Sequence, residues 1–277
     1  MRKLIYITAE GGGDKENLFS FFVLTFRRLH LRNVGKLILP LFMPKESRSF
    51  DAEAFLESLS HDPNHSDLCS GKRISPQYDL QIIVPVYNVE RYIIDCMESV
   101  VHQQTRFTYL ITAINDGSSD HSRELLQCYE DLPHVEVIDQ KNRGFSGARN
   151  AALKNIKGRY VMFLDSDDSL EKGAIEALMT KAEQSGADMV EGGFRQFDDA
   201  GNTIYTQIYE PREHLPSLNG FPWGKVIRSE MFKNLQFPEN YWYETLFFLL
   251  MFDMAKNIAR IDNSIYHYRL NFGGITK

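Results

Sequence analysis

Three carboxylates fall within four residues at Asp165-Ser166-Asp167-Asp168, directly after the apolar run Tyr160-Val161-Met162-Phe163-Leu164. A short apolar run of this kind reads as a buried strand of a parallel sheet, and ligands of open α/β folds sit just past the carboxyl ends of such strands. Asp165 and Asp167 therefore offer two hard oxygen donors where Mg²⁺ or Mn²⁺ and a diphosphate can meet. Helix capping by Asp168 or Ser169, at the start of a helix expected over 171–184, accounts for one such residue but not for the other two.

Similar clusters follow other expected strands. Leu80 to Val86 ends in Tyr87-Asn88, and Tyr109 to Ile114 ends in Asn115-Asp116-Gly117-Ser118. After Val135 to Ile138 comes a loop containing Asn142, Arg143 and Gly144. Each cluster alone is turn chemistry, but together they place Asp116 to accept from a base N–H and Tyr87 to stack on a ring. Arg143 and Arg149 can neutralise phosphate, and Gly144 and Gly147 allow close backbone approach. There is no GxGxxG after the first strand and no GxxxxGK[ST], so a dinucleotide oxidoreductase and a P-loop enzyme lack their phosphate grips.

The elements that must position these residues alternate regularly from Asp79. Amphipathic helices are expected over 89–104, up to about Glu130, and from about Ser146 to Ile156. A strand over 187–194 carries Glu191 near its end. The pattern predicts an α/β fold with a doubly wound, mostly parallel sheet whose strand ends share one rim. Residues 60–78 read as a linker. The N-terminal 1–75 differ, with the aromatic run Leu18 to Phe26, then Arg27, Arg28, His30 and Arg32. This region either packs as a helix on the main domain or a partner, or lies in a membrane interface through residues 15–43.

The composition is that of a globular protein, 43% hydrophobic and 25% charged. A net charge of −6 argues against nucleic acid as the main partner. The three cysteines lie far apart with no zinc spacing, as reduced thiols of a cytoplasmic protein would, and Cys96 fits a buried helix face. No apolar run is long enough to span a membrane, and Leu4 to Thr8 reads as a strand rather than part of a cleaved signal.

The successive stretches Ile83-Val84-Pro85-Val86-Tyr87-Asn88, Asn115-Asp116-Gly117-Ser118-Ser119-Asp120, Asn142 to Asn150 and Phe163 to Asp168 resemble the ordered motifs of the family 2 glycosyltransferases. The resemblance implies the GT-A fold over 79–277, with a nucleotide-sugar half (79–185) and an acceptor half (186–277). It implies an inverting transferase that uses a nucleotide-diphosphate sugar, typically a UDP-sugar, with Mn²⁺ or Mg²⁺, and acts on a saccharide or lipid-linked acceptor in cell-surface polysaccharide synthesis. Carried over by position, Pro85, Tyr87, Asn88, Glu90, Asp116 and Ser118 surround base and ribose, and Arg143, Gly144 and Arg149 line the pocket. Asp165 and Ser166 meet ribose or sugar, Asp167 binds metal, and His267 completes the metal shell or touches phosphate. Trp223 and Lys225 resemble the family's acceptor-side pair, although Trp223 can equally be a core aromatic.

One departure stands out. Family members usually carry Glu-Asp at the start of a helix near residue 244, with the Asp as base, whereas this chain has Glu244-Thr245. Thr is no base at neutral pH. Either Glu244 or Glu191 takes the acceptor proton, or turnover is crippled; we assign Glu244. The alternatives are an impaired nucleotide-sugar-binding partner subunit and a nucleotidyltransferase, whose glycine- and lysine-rich loop is missing from Val89 to Val101. The expected location is cytoplasmic, with a peripheral contact on the inner membrane face if residues 15–43 bind lipid.

Overall fold

The structure is a computed structural model that describes residues 73–215, 218–233, 235–237, 251–252 and 254–270. The segment 15–43, the residues before Arg73 and Glu244 lie outside the described residues. The described strands are β1 (Arg73–Val86), β2 (Tyr109–Asn115), β3 (Val135–Asp139), β4 (Asn155–Phe163), β5 (Ser169–Leu170), β6 (Met189–Phe197), β7 (Thr203–Gln207), β8 (Lys225–Arg228) and β9 (Ile258–Arg269). The described helices are α1 (Ile93–Val101), α2 (Ser122–Leu126), α3 (Gly144–Leu153) and α4 (Ala174–Ser185).

Among the described residues the strands form one sheet in the order β3-β2-β1-β4-β8-β6-β9-β5, with β7 beside β6. The first four run parallel. From β8 onward the sheet is mixed: β8 is antiparallel to both β4 and β6, while β9 is parallel to β6 and antiparallel to β5. "Mostly parallel" thus describes the first half, and the second half departs from it. Strand order reverses between β1 and β4, and that switch point opens a crevice at their carboxyl ends.

Alternation along β1 divides the core between the two sheet faces. Leu80, Ile82, Val84 and Val86 pack with Ile93, Cys96, Met97 and Val100 of α1 and with α4. Ile83 lies in a second cluster with Ala148, Ala152 and Leu153 of α3, Phe163, Phe232 and Phe237. The spacing of buried residues on α1, at i, i+3, i+4 and i+7, is that of an amphipathic helix, and Cys96 is buried on it as expected. Met251 and Phe252 are buried in the second cluster. No helix among the described residues is long and apolar enough to cross a membrane.

Three expected boundaries are corrected. β1 starts at Arg73 rather than Leu80, because Arg73 and Ile74 pair with Asn155 and Ile156. The same pairing ends α3 at Leu153 and turns residues expected to be helical into the start of β4. Neither Asp168 nor Ser169 caps α4, which begins at Ala174 behind Gly173 at φ 78°. Ser169 and Leu170 instead form β5 against His267 and Tyr266.

Candidate functional site

Strand-end loops from β1, β2 and β4 meet at the crevice and brace one another. Asp116 N donates to Val86 O at 2.8 Å, and Asn88 N donates to Ser118 Oγ at 3.2 Å. Asn88 adopts φ 52°, a left-handed conformation Asn tolerates, and its Oδ1 accepts from Ser119 N at 2.8 Å. Glu90 and Asp120 form a reciprocal clasp: Glu90 N donates to Asp120 Oδ2 at 3.0 Å, while Glu90 Oε2 accepts from His121 N at 3.0 Å. His121 Nδ1 lies 2.8 Å from the same oxygen. The backbone and ring hydrogen bonds from His121 hold the Glu90 carboxyl below its ordinary range, and Glu90 raises the His121 imidazole. Tyr87 leaves about half of its ring surface in solvent, and Pro85 is half-buried beside it.

Asp116 is 2% exposed. Its Oδ1 accepts from Gln140 Nε2 at 2.6 Å and from Arg143 N at 2.9 Å, while its buried Oδ2 has no hydrogen-bond partner among the described residues. Such an oxygen calls for a donor from a ligand or a water, because a buried acceptor left unmade is costly.

Arg143 is also the residue before α3, which begins at Gly144 with φ 73°. A side chain at Gly147 would bring its Cβ to 2.4 Å from Arg143 Cβ, so close packing there requires glycine. Further along α3, Arg149 Nη2 donates to Asp165 Oδ1 at 2.6 Å from a side chain that is almost fully buried. α3 therefore joins the Asp116 loop at its start to the Asp165 loop one to two turns later.

Between β4 and β5 the acidic loop is held from β9. The Asp165 amide donates to Tyr266 Oη at 3.1 Å, and Tyr266 Oη donates to Asp168 Oδ2 at 2.7 Å. Arg269 N donates to Asp168 Oδ1 at 2.7 Å, and Arg269 Nε donates to the Asp167 carbonyl at 3.0 Å. Ser166 is buried between its acidic neighbours. Burial, then the neighbouring Asp167 and Asp165 charges, push the Asp168 carboxyl well above its ordinary value. Burial likewise raises the Tyr266 phenol and the Cys96 thiol, whose Sγ lies 3.8 Å from the Asp165 carbonyl.

The other expected residues fall elsewhere. Both His267 nitrogens are engaged locally, Nε2 2.6 Å from Glu171 Oε2 and Nδ1 3.5 Å from Ser169 Oγ. Glu191 is fully buried: Oε1 accepts from Asn219 N at 2.9 Å and lies 3.4 Å from Lys225 Nζ, and Oε2 accepts from Arg260 Nε at 2.7 Å. Lys225 is equally buried, and its Nζ donates to Asn219 Oδ1 and Phe221 O, each at 2.6 Å. Trp223 is a core aromatic, nearly parallel to Phe221, Tyr266 and Tyr268. Asp168, Gln140 and Tyr266 belong to the site and were not singled out from sequence. Asp168 reads there as a cap, and the motif resemblance that brings His267 to the acidic loop assigns no role to the neighbouring Tyr266 hydroxyl.

A comparison with protein families finds the Glycosyl transferase family 2 model matching residues 81–253, more than half of the chain. The chain belongs to glycosyl transferase family 2. Its similar relatives in the family include glycosyltransferase GlyA of Streptococcus pneumoniae serotype 4, 30% identical over 72% of this chain and 31% of that protein. Another is the uncharacterized glycosyltransferase EpsJ of Bacillus subtilis, 31% identical over 72% of this chain and 63% of EpsJ. The chain thus spans about a third of GlyA and under two thirds of EpsJ. Among solved structures it resembles S. aureus TarS 1–349 in complex with UDP-GlcNAc, with TM-score 0.61 and 22% identity over 71% of this chain and 60% of that one. The sheet order and these neighbours make the fold GT-A, as the sequence motifs implied.

Proposed function

We propose that the protein is a metal-dependent, inverting glycosyltransferase that moves a sugar from a UDP-sugar to a saccharide or lipid-linked acceptor in cell-surface polysaccharide synthesis. The observation that carries this reading is the Asp116 carboxylate, buried at the end of β2 beside the switch point, with Oδ2 lacking a donor among the described residues. Uracil presents one such donor, its N3–H, whereas cytosine has none at that position. The exposed Tyr87 ring beside it supplies a stacking face, and the structural neighbour TarS carries UDP-GlcNAc in its complex.

Asp167, with Asp165 beside it, would hold Mn²⁺ or Mg²⁺. This donor set fits an ion that takes one or two carboxylates and completes its shell with diphosphate oxygens and water. Once bound, the ion supplies Lewis-acid stabilisation of the leaving diphosphate. The chain's own residues do the rest in this reading: Asp116 fixes the base, and Arg149 holds Asp165 in place. The amide-rich start of α3 faces anionic charge. Glu244 takes the acceptor hydroxyl proton as general base. The engagement of Glu191 by two cations favours Glu244 over it for this role.

The test is nucleotide release from UDP-, GDP-, CDP- and dTDP-sugars with and without Mn²⁺. Metal-dependent release of UDP, lost in Asp167→Ala and depressed in Glu244→Gln, is the expected result. UDP binding without turnover under all conditions would instead identify an impaired donor-binding relative.

A further inference from the structure

The loop ahead of β8 carries an aromatic residue, Phe221, that is half exposed. Phe221 is 50% exposed, yet it lies parallel to Trp223 at 4.8 Å with 9° between the planes. Trp223 is nearly parallel to Tyr266 at 4.7 Å and meets Phe194 edge-on at 5.1 Å. Tyr266 is the residue whose hydroxyl takes the Asp165 amide, and the Trp223 backbone bridges to Phe163, two residues before Asp165. Phe221 is thus the outward ring of an aromatic stack built on the same scaffold as the acidic loop.

The loop is held with unusual firmness. Lys225 Nζ reaches Asn219 O at 3.2 Å as well as Asn219 Oδ1 and Phe221 O, and Phe221 N donates to Asn219 Oδ1 at 3.0 Å. Glu191 holds Asn219 N from the other side and is itself held by Arg260. Burying a lysine and a glutamate is costly unless each is paired and hydrogen-bonded. Burial pushes the Lys225 ammonium down to about 8, against the pull of Glu191. Between them the Lys225 ammonium and the Glu191 carboxylate hold Asn219 and Phe221 of this loop. A planar apolar ring fixed in solvent by buried charges is the geometry that receives the C–H face of a pyranose.

We propose that Phe221 is the platform on which the acceptor's terminal pyranose stacks, and that Trp223 and Lys225 serve the acceptor by holding this ring rather than by touching it. The acceptor is then a saccharide ending in a ring with an apolar face, not an acyclic polyol phosphate. The proposal rests on the transferase reading above.

The experiment is saturation-transfer NMR on the whole chain with UDP and Mn²⁺ present. The probes are millimolar methyl glucoside, galactoside, mannoside and N-acetylglucosaminide, with glycerol phosphate and ribitol phosphate as acyclic comparisons. At least one pyranoside should saturate through its ring hydrogens. Its signal should weaken at least tenfold in Phe221→Ala and persist in Phe221→Trp, while UDP-induced thermal shifts stay at the wild-type value in both variants. Pyranoside signals indifferent to Phe221→Ala, or signals from the polyol phosphates alone, overturn the platform while leaving the donor site intact. Failure of UDP to stabilise the wild-type protein sinks the donor assignment and this proposal with it.

Discussion

The Arg149 guanidinium lies 5.5 Å from the Phe145 ring centroid, 5.8 Å from Phe163 and 5.5 Å from Phe237, while one of its nitrogens meets Asp165. Stacking and ion pairing act through the same planar group, so lysine is a poor substitute. Arg149→Met breaks a largely buried pair and should destabilise the fold toward the lower end of about 3–5 kcal/mol, since Asp165 keeps some solvent contact. Arg149→Lys should fall between it and wild type in urea denaturation. The exposed Glu90–His121 clasp gives a pH dependence whose sign follows from its two shifts. His121 is raised above 6.5, so its contribution is complete below pH 6.5 and is lost as pH climbs through the raised value. Glu90 is lowered below 4.5, so its contribution is present above pH 4.5 and is lost only as pH falls through the lowered value. UDP affinity measured against pH should therefore show a wild-type advantage over His121→Gln at pH 6 that shrinks toward pH 8.5. At this scale Asp116 and Asp165 at strand ends and Arg149 on α3 could be picked out, because each follows a recognisable apolar run or belongs to an ordered motif. Lys225 and Glu191 were legible as residues of interest but not as a buried pair. Their partnership depends on β6 and β8 lying side by side, which no local pattern records.

Among the elements, α3 links the Asp116 loop to the Asp165 loop, and its first turn is tightly packed. Gly147→Ala would drive a methyl into Arg143 Cβ and displace the amide that holds Asp116. Overpacking of this kind costs about 1–3 kcal/mol, and UDP affinity should drop along with thermal stability. If calorimetry found unchanged UDP binding in a destabilised Gly147→Ala protein, the coupling of α3 to the base site would be wrong. β2 and β3 were close to their expected places, since local alternation dictates them, while α1 is shorter than expected, Ile93–Val101 against 89–104. The misplaced boundaries, at the start of β1, the end of α3 and the start of α4, all arise where a distant strand captures a segment. Asn155 and Ile156 are strand because Arg73 and Ile74 pair with them, and Ser169 is strand because His267 does.

Over the whole described domain, β4 lies between β1 of the parallel half of the sheet and β8 of the mixed half, and the second core cluster draws residues from both. A lesion on one side should therefore be felt on the other. Ile227 on β8 is fully buried, and Ile227→Ala should remove about 2–5 kcal/mol. In a Trp242→Phe background, that loss should shift the melting of the sheet followed by circular dichroism and the melting followed by fluorescence of the buried Trp223 to the same extent. Separate shifts would mean two independently folding halves. The first half could be read as parallel from its strands alternating with helices, apart from the ends of β1 and β4 that pair at long range. The second could not, because its pairing joins β6 to β9 across an intervening β7 and β8. β9 is also the last described strand to be synthesised, and Tyr266 and Arg269 on it hold the loop that bears Asp165, Asp167 and Asp168. During translation, then, the four parallel strands can emerge and begin to collapse with the acidic loop unset. The ribosome must deliver about a hundred more residues before the carboxylates are drawn into register, so a nascent chain can hold its Asp116 loop through Gln140 and Arg143 well before Tyr266 and Arg269 arrive to hold the acidic one.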